Sequence, residues 1–156
     1  MPDCSATQIT IGGTIETPEA MSALLIALDI EGGIDWEHGP PEEGWWDYIK
    51  ACAEAGEPLV ISVGENPWGH FEEIEAACRE HGLAYLRADD GHYTYGPSNV
   101  AWRPGMDKPV ELYGNIESGP TVDLAELFKA RGEGRLDALL DSYAAAFAEI
   151  PPIRLS

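Results

Sequence analysis

The residues of this chain with chemistry to offer are its histidines, its cysteines and a large stock of carboxylates. The four histidines are His38, His70, His81 and His92, and none stands in an HExxH or H-x-H arrangement. Asp89, Asp90 and His92 are close enough in sequence to converge at a hairpin tip, where carboxylate and imidazole suit a divalent metal. A small metal-dependent hydrolase or nucleotide-processing enzyme would draw on them, with Glu72 or Glu73 across a cleft. The plainer reading is turn chemistry, because Asp-Asp-Gly is common in tight turns and an exposed tip is poorly preorganised for a metal. Glu72, Glu73, Glu75 and Glu80 decorate one helical stretch. Paired carboxylates do acid–base work when burial splits their pKa values. These four have charged neighbours on what reads as a solvated face. The members of a Ser–His–Asp triad meet only in space, so one sequence shows none. Gly12-Gly13 follows a strand and precedes a helix, but there is no GxGxxG and no Walker lysine, and the surrounding charge opposes a phosphate. No catalytic residue and no cofactor are therefore assigned.

The three cysteines, Cys4, Cys52 and Cys78, are odd in number and lack metal-type spacing. Cys52 and Cys78 fall at inner positions of expected helices. Reduced thiols in a cytoplasmic protein account for them most simply. Residues 1–8 have neither a basic start nor an apolar core, so no signal peptide is expected. No apolar run approaches the roughly 18 residues of a membrane span.

Charge is the strongest signal. The chain carries 28 acidic against 9 basic side chains, a formal net charge of −19 over 156 residues. Residues 1–50 hold ten acids and one base, Lys50. Residues 51–100 hold nine acids and two bases, and residues 101–156 nine acids and six bases. A field of this sign repels nucleic acid and anionic membranes and attracts basic surfaces. Four of the five tryptophans (Trp36, Trp45, Trp46 and Trp68) lie in or beside the densest acidic stretch. Trp45 and Trp46 point about 100° apart on a helix, so both cannot centre one narrow buried stripe. Trp45 shares its face with Ile49 and Cys52. Trp46 lies over Lys50, where it covers a core edge, stacks on the lysine, or stands as an aromatic anchor within an acidic rim. The candidate partner-binding set is Glu31, Asp35, Trp36, Glu37, Glu42, Glu43, Trp46, Asp47, Glu72 and Glu73.

The elements that must position these residues follow from periodicity and caps. Thr7 to Ile15 alternates as a strand. Thr17-Pro18-Glu19 is a strong helix start, and Met21, Leu24, Leu25 and Leu28 form the stripe behind it. Glu42 to Ala55 reads as a second helix stopped by Gly56. Pro58 to Val63 reads as a central strand, and a third helix closes at His81-Gly82. Leu83–Leu86, His92–Tyr95 and Val100–Arg103 are expected as neighbouring antiparallel strands, followed by Val110–Tyr113. Two helices complete the chain, Val122 to about Ala130 and Arg135 to about Glu149, the latter with Leu136, Leu139, Leu140, Tyr143 and Phe147 along one side. The fold class is α+β: a mainly antiparallel sheet of 4–6 strands with helices packed on one face, plus C-terminal helices. Residues 1–119 form the α+β core and residues 120–156 a C-terminal helical segment of the same domain. That segment reads as an appendage or as a dimerisation arm, which leaves a homodimer open.

Phe71 to Cys78, Glu80 to Leu83, Asp89 to Tyr95 and Trp102-Arg103-Pro104-Gly105-Met106 together resemble a group of uncharacterised acidic proteins of bacterial phages, plasmids and integrated elements. The strand entry Ile9 to Gly13 fits the same group. The resemblance covers about two thirds of the chain and weakens through Ile34 to Glu43 and after Gly119. It implies a mobile-element setting and carries over no site residues. In size and charge the chain is also similar to anti-restriction and anti-CRISPR inhibitors. The expectation is a non-enzymatic acidic protein that engages a basic, nucleic-acid-binding protein as a DNA mimic, with no direct contact to nucleic acid or membrane. The alternatives are the metal-dependent enzyme above and a structural or accessory protein of a phage particle.

Overall fold

Ile9 and Ile11 alternate with Gln8 and Thr10, and that alternation divides the sheet into two unlike faces. The computed structural model describes residues 5–66, 69–92 and 94–156. Cys4, Trp68 and Tyr93 lie outside the described residues. In chain order the elements are β1 (Ser5–Ile15), α1 (Pro18–Glu31), α2 (Trp45–Ala55), β2 (Leu59–Asn66), α3 (Glu72–His81), β3 (Ala84–Asp89), β4 (Ser98–Trp102), β5 (Val110–Tyr113), α4 (Leu124–Gly132), α5 (Leu136–Ala146) and β6 (Ile153–Leu155). The class is α+β, with an open sheet in the order β2-β1-β3-β4-β5, every neighbour antiparallel. No helix among the described residues is long and apolar enough to cross a membrane.

One sheet face builds the core. Ile9 and Ile11 lie opposite Ile61 and Leu59 of β2, and Tyr85 of β3 lies opposite Trp102 of β4. Against them pack Met21, Leu24 and Leu28 of α1, Trp45 and Ile49 of α2, and Ile74 and Cys78 of α3. Each large side chain removed from water there contributes about 1.5–3 kcal/mol. The helix ends follow local rules. The Thr17 hydroxyl accepts from Ala20 N–H at 3.1 Å and Pro18 opens the helix. Gly56 and Gly82 close α2 and α3 at φ of 70° and 71°, the left-handed turn that side-chain-bearing residues avoid.

Three expectations are corrected. His92–Tyr95 is not a strand between its neighbours. β3 runs on to Asp89 and pairs directly with β4, Asp89 facing Ser98. Gly91 (φ 80°) then turns the chain, and its N–H is held by the Asp89 carboxylate at 2.9 Å. His92 and Tyr95 close a tight loop on each other, N–H to carbonyl in both directions, with their rings stacked 5.4 Å apart. Second, the apolar side of α5 is only partly covered. Leu136, Leu139, Tyr143 and Phe147 are half-buried, Leu140 is exposed, and Ala146 is the helix's buried residue. The end of α5 is held by Arg103, whose guanidinium donates to the carbonyls of Ala146, Ala148 and Glu149. Third, β6 has no counterpart in the sequence reading. It pairs in parallel with Gly13–Ile15 of β1. Its approach needs Gly12, where a Cβ would stand 1.8 Å from the Pro151 carbonyl oxygen.

Candidate protein-binding face

The acidic residues picked out by sequence are placed by three elements and the loop between them. At the first junction, the last residue of α1 caps the first turn of α3. The Glu31 carboxylate accepts from the N–H groups of Glu73 (3.2 Å) and Ile74 (3.1 Å). Phe71 at the N-cap supplies no side-chain oxygen, so these donors would otherwise go unpaired. Burial raises the Glu31 carboxyl above its ordinary 4.5. The two N–H bonds oppose that shift, and Glu73 and Glu75 add to it. Glu31 is thus a structural cap as well as a charge. Glu72 and Glu73 are exposed beside it, at the helix end whose partial positive charge favours acids.

The loop after α1 lies along the outer strand of the sheet. Gly33 carbonyl oxygen accepts from Ser62 N–H of β2 at 3.1 Å, which covers an edge that would otherwise be open to pairing. Asp35 folds the loop. Its carboxylate accepts from Glu37 N–H (2.9 Å) and His38 N–H (2.8 Å), and sits 2.7 Å from His38 Nδ1. The Glu37 N–H first, then the His38 ring, hold this carboxyl below its ordinary value. Glu37, Glu42 and Glu43 are exposed, and Trp36 is 44% exposed.

At the start of α2 the adjacent tryptophans part company as the helical angle requires. Trp45 is buried, edge-on to Tyr48 at 5.8 Å. Trp46 is 47% exposed, with Lys50 Nζ 5.9 Å from its ring. Asp47 lies 3.8 Å from the same ammonium. Trp46 also helps wall an apolar groove of about 370 Å³ with Met21, Leu25 and Leu155.

Trp36 and Trp46 therefore line different grooves. That of Trp36, about 540 Å³, is formed with Ala6, Gly64, Asp90, Asn115, Ile116 and Glu117. Five segments distant in sequence meet there. Asp90 is fixed twice, its N–H to the Ala6 carbonyl (3.0 Å) and its Oδ1 to Ile116 N–H (3.1 Å). The segment carrying Glu117 is braced by Ser118 N–H on Asn115 Oδ1 (2.7 Å) and Asn115 N–H on Ser118 Oγ (3.1 Å). Asn115 and Glu117 gave no signal in the sequence; the sheet brings them to Trp36.

Asp89, Asp90 and His92 turn to separate partners. Asp89 points inward, accepting from Ser98 Oγ–H at 2.6 Å and lying 3.5 Å from Arg87 Nη1. Asp90 holds the 115–119 segment. His92 meets the Thr94 hydroxyl at 2.9 Å. Among the described residues no group of three or more His, Cys, Asp or Glu side chains could hold a metal ion. Glu75, read as part of a solvated face, is instead buried. Its carboxylate accepts from Arg87 Nε–H (3.0 Å) and Phe71 N–H (2.8 Å), because its side of α3 meets β3. Arg87 also donates to the Gly69 carbonyl at 2.7 Å. Burial raises the Cys52 and Cys78 thiols above their ordinary value, which makes both weak nucleophiles.

The chain matches no protein-family model, no curated protein and no solved structure.

Proposed function

We propose that this chain is a non-enzymatic, cytoplasmic binding protein of a mobile genetic element. Its acidic face engages a basic protein that itself binds nucleic acid, in the manner of a DNA-mimicking inhibitor of host defence such as an anti-CRISPR protein. The observation that carries the reading is an excess of acidic over basic side chains around exposed aromatics, even with Glu75 paired to Arg87 and Asp47 beside Lys50. Residues 31–75 hold twelve acids against one Lys or Arg, Lys50. Asp35, Glu37, Glu42, Glu43, Asp47, Glu72 and Glu73 all stand exposed with Trp36 and Trp46. Nucleic-acid clefts are lined by Lys and Arg that meet closely spaced phosphates, and an array of carboxylates competes for them through the same salt-sensitive attraction. The mobile-element setting is supported by the resemblance carried by residues 71–106.

The test is capture from a bacterial lysate at low and at high salt, followed by elution with duplex DNA. The expected result is a set of DNA-binding proteins retained at low salt, released by duplex, and lost when Glu42, Glu43 and Asp47 become Gln, Gln and Asn. Retention of nothing at low salt, or of proteins that duplex does not displace, overturns the reading.

A further inference from the structure

We infer that the groove of Trp36, Asp90 and Glu117 receives one arginine side chain of the basic partner; this rests on the protein-binding reading above. The groove has small residues, Ala6 and Gly64, among those that line it, so few side-chain atoms occupy it. Trp36 forms part of the wall and leaves 44% of its surface exposed, unusual for the residue type that folding most rewards for burial. Acidic residues from two other segments, Asp90 and Glu117, complete it, and among the described residues no lysine or arginine lines it. Asp90 is held in place through its N–H and Oδ1 by the bonds to Ala6 and Ile116. Its Oδ2 is without a hydrogen bond among the described residues. The Asp90 side of the charged wall is therefore set before a ligand arrives, which lowers the ordering cost there, while Glu117 is exposed on a segment whose backbone is braced by Asn115 and Ser118.

The chemistry selects the ligand. Two carboxylates repel phosphate and carboxylate groups. A guanidinium is planar, stacks on an indole, and donates several N–H bonds in a fixed fork to carboxylate oxygens. A lysine ammonium is a strongly hydrated point charge that gains less from the aromatic wall. The apolar groove beside Trp46 has one acidic side chain, Glu16, among its lining residues, so it lacks the pair of acids that favours a guanidinium.

The test is titration of the whole protein with tri-arginine and tri-lysine peptides, read on the tryptophan indole N–H resonances. The Trp36 signal is assigned as the one missing from Trp36→Ala. The expected result is movement of that signal, tighter binding of tri-arginine than of tri-lysine, and about tenfold weaker tri-arginine binding in Glu117→Gln, the loss of one charge-assisted bond. Glu117→Gln leaves the loop's own hydrogen bonds intact, and unchanged indole positions in the free variant confirm that it folds. Equal affinity for the two peptides, movement of the Trp46 signal instead, or unchanged affinity in Glu117→Gln overturns the inference. If binding responds to the Glu42, Glu43 and Asp47 substitutions but not to Glu117→Gln, the groove assignment falls and the acidic-face reading stands. If tri-arginine occupies the groove while the lysate capture retains nothing, the wider reading falls and the groove assignment stands.

Discussion

Inside the protein, the Arg87 guanidinium meets Glu75, Asp89 and the Gly69 carbonyl at once. Removing it leaves two buried carboxylates with no cation, so Arg87→Ala should lose about 3–5 kcal/mol of stability. Urea unfolding measures this, and a loss under about 1 kcal/mol would mean that water reaches the site. The neighbouring tryptophans give a contrast at the same scale. Trp45 is buried in the core, so Trp45→Ala should lose about 3–5 kcal/mol. Trp46 is 47% exposed, so Trp46→Ala should lose about 1 kcal/mol or less. Equal losses in the two melting curves would assign Trp46 to the core and withdraw it from any binding role. That the tryptophans diverge was legible from their spacing alone. That Glu75 is buried was not, because its partner Arg87 comes from another element and no local pattern announces it.

Between elements, the contact that most exceeds local rules is the cap that α1 places on α3 through Glu31. Its carboxyl has a raised pKa in the folded protein. A carboxyl of that kind holds its proton more tightly folded than unfolded. Its favourable contribution is complete below the unfolded value and declines as pH rises through the folded one. The melting midpoint of the wild type should therefore improve relative to Glu31→Gln as pH falls from neutral towards the ordinary 4.5. A gap that stays constant or moves the other way would mean that the carboxylate is solvated. The boundaries of α1, and the ends of α2 and α3, were readable because Thr17, Pro18, Gly56 and Gly82 act within one turn of themselves. His92–Tyr95 carried the alternation of a strand, yet Gly91 and the Asp89 side chain turn the chain before it can pair. Of the candidate site, the exposed acids were legible because charge needs no partner to be exposed. The meeting of Trp36, Asp90 and Glu117 was not, since it depends on the order of strands in the sheet.

For the whole molecule, a net charge of −19 acts in two directions. Like charges crowd one another in the folded state, and mobile ions relieve this. Raising sodium chloride from low concentration to about 0.5 M, where the screening length drops to a few ångströms, should raise the melting midpoint. A gain of 1 kcal/mol corresponds to about 2–4 °C for a chain of this size. If the proposed acidic-face binding holds, the same salt should weaken capture of a basic partner, mainly by slowing encounter. A midpoint that falls with salt would show that favourable exposed ion pairs, such as Arg135 with Glu133, outweigh the repulsion.

The parallel pairing of β6 with β1 joins Gly13 to Ile153, some 140 residues later in the chain. A ribosome adds about 5–20 residues each second, so β1 emerges roughly ten seconds before its partner exists. During that time the Gly13–Ile15 stretch lacks a ladder neighbour. Contacts between such distant residues are also the slowest to form once both are present. The nascent chain thus spends its life at the ribosome with an unfilled strand position, the state in which chaperone capture or pairing with a second nascent copy competes with correct closure.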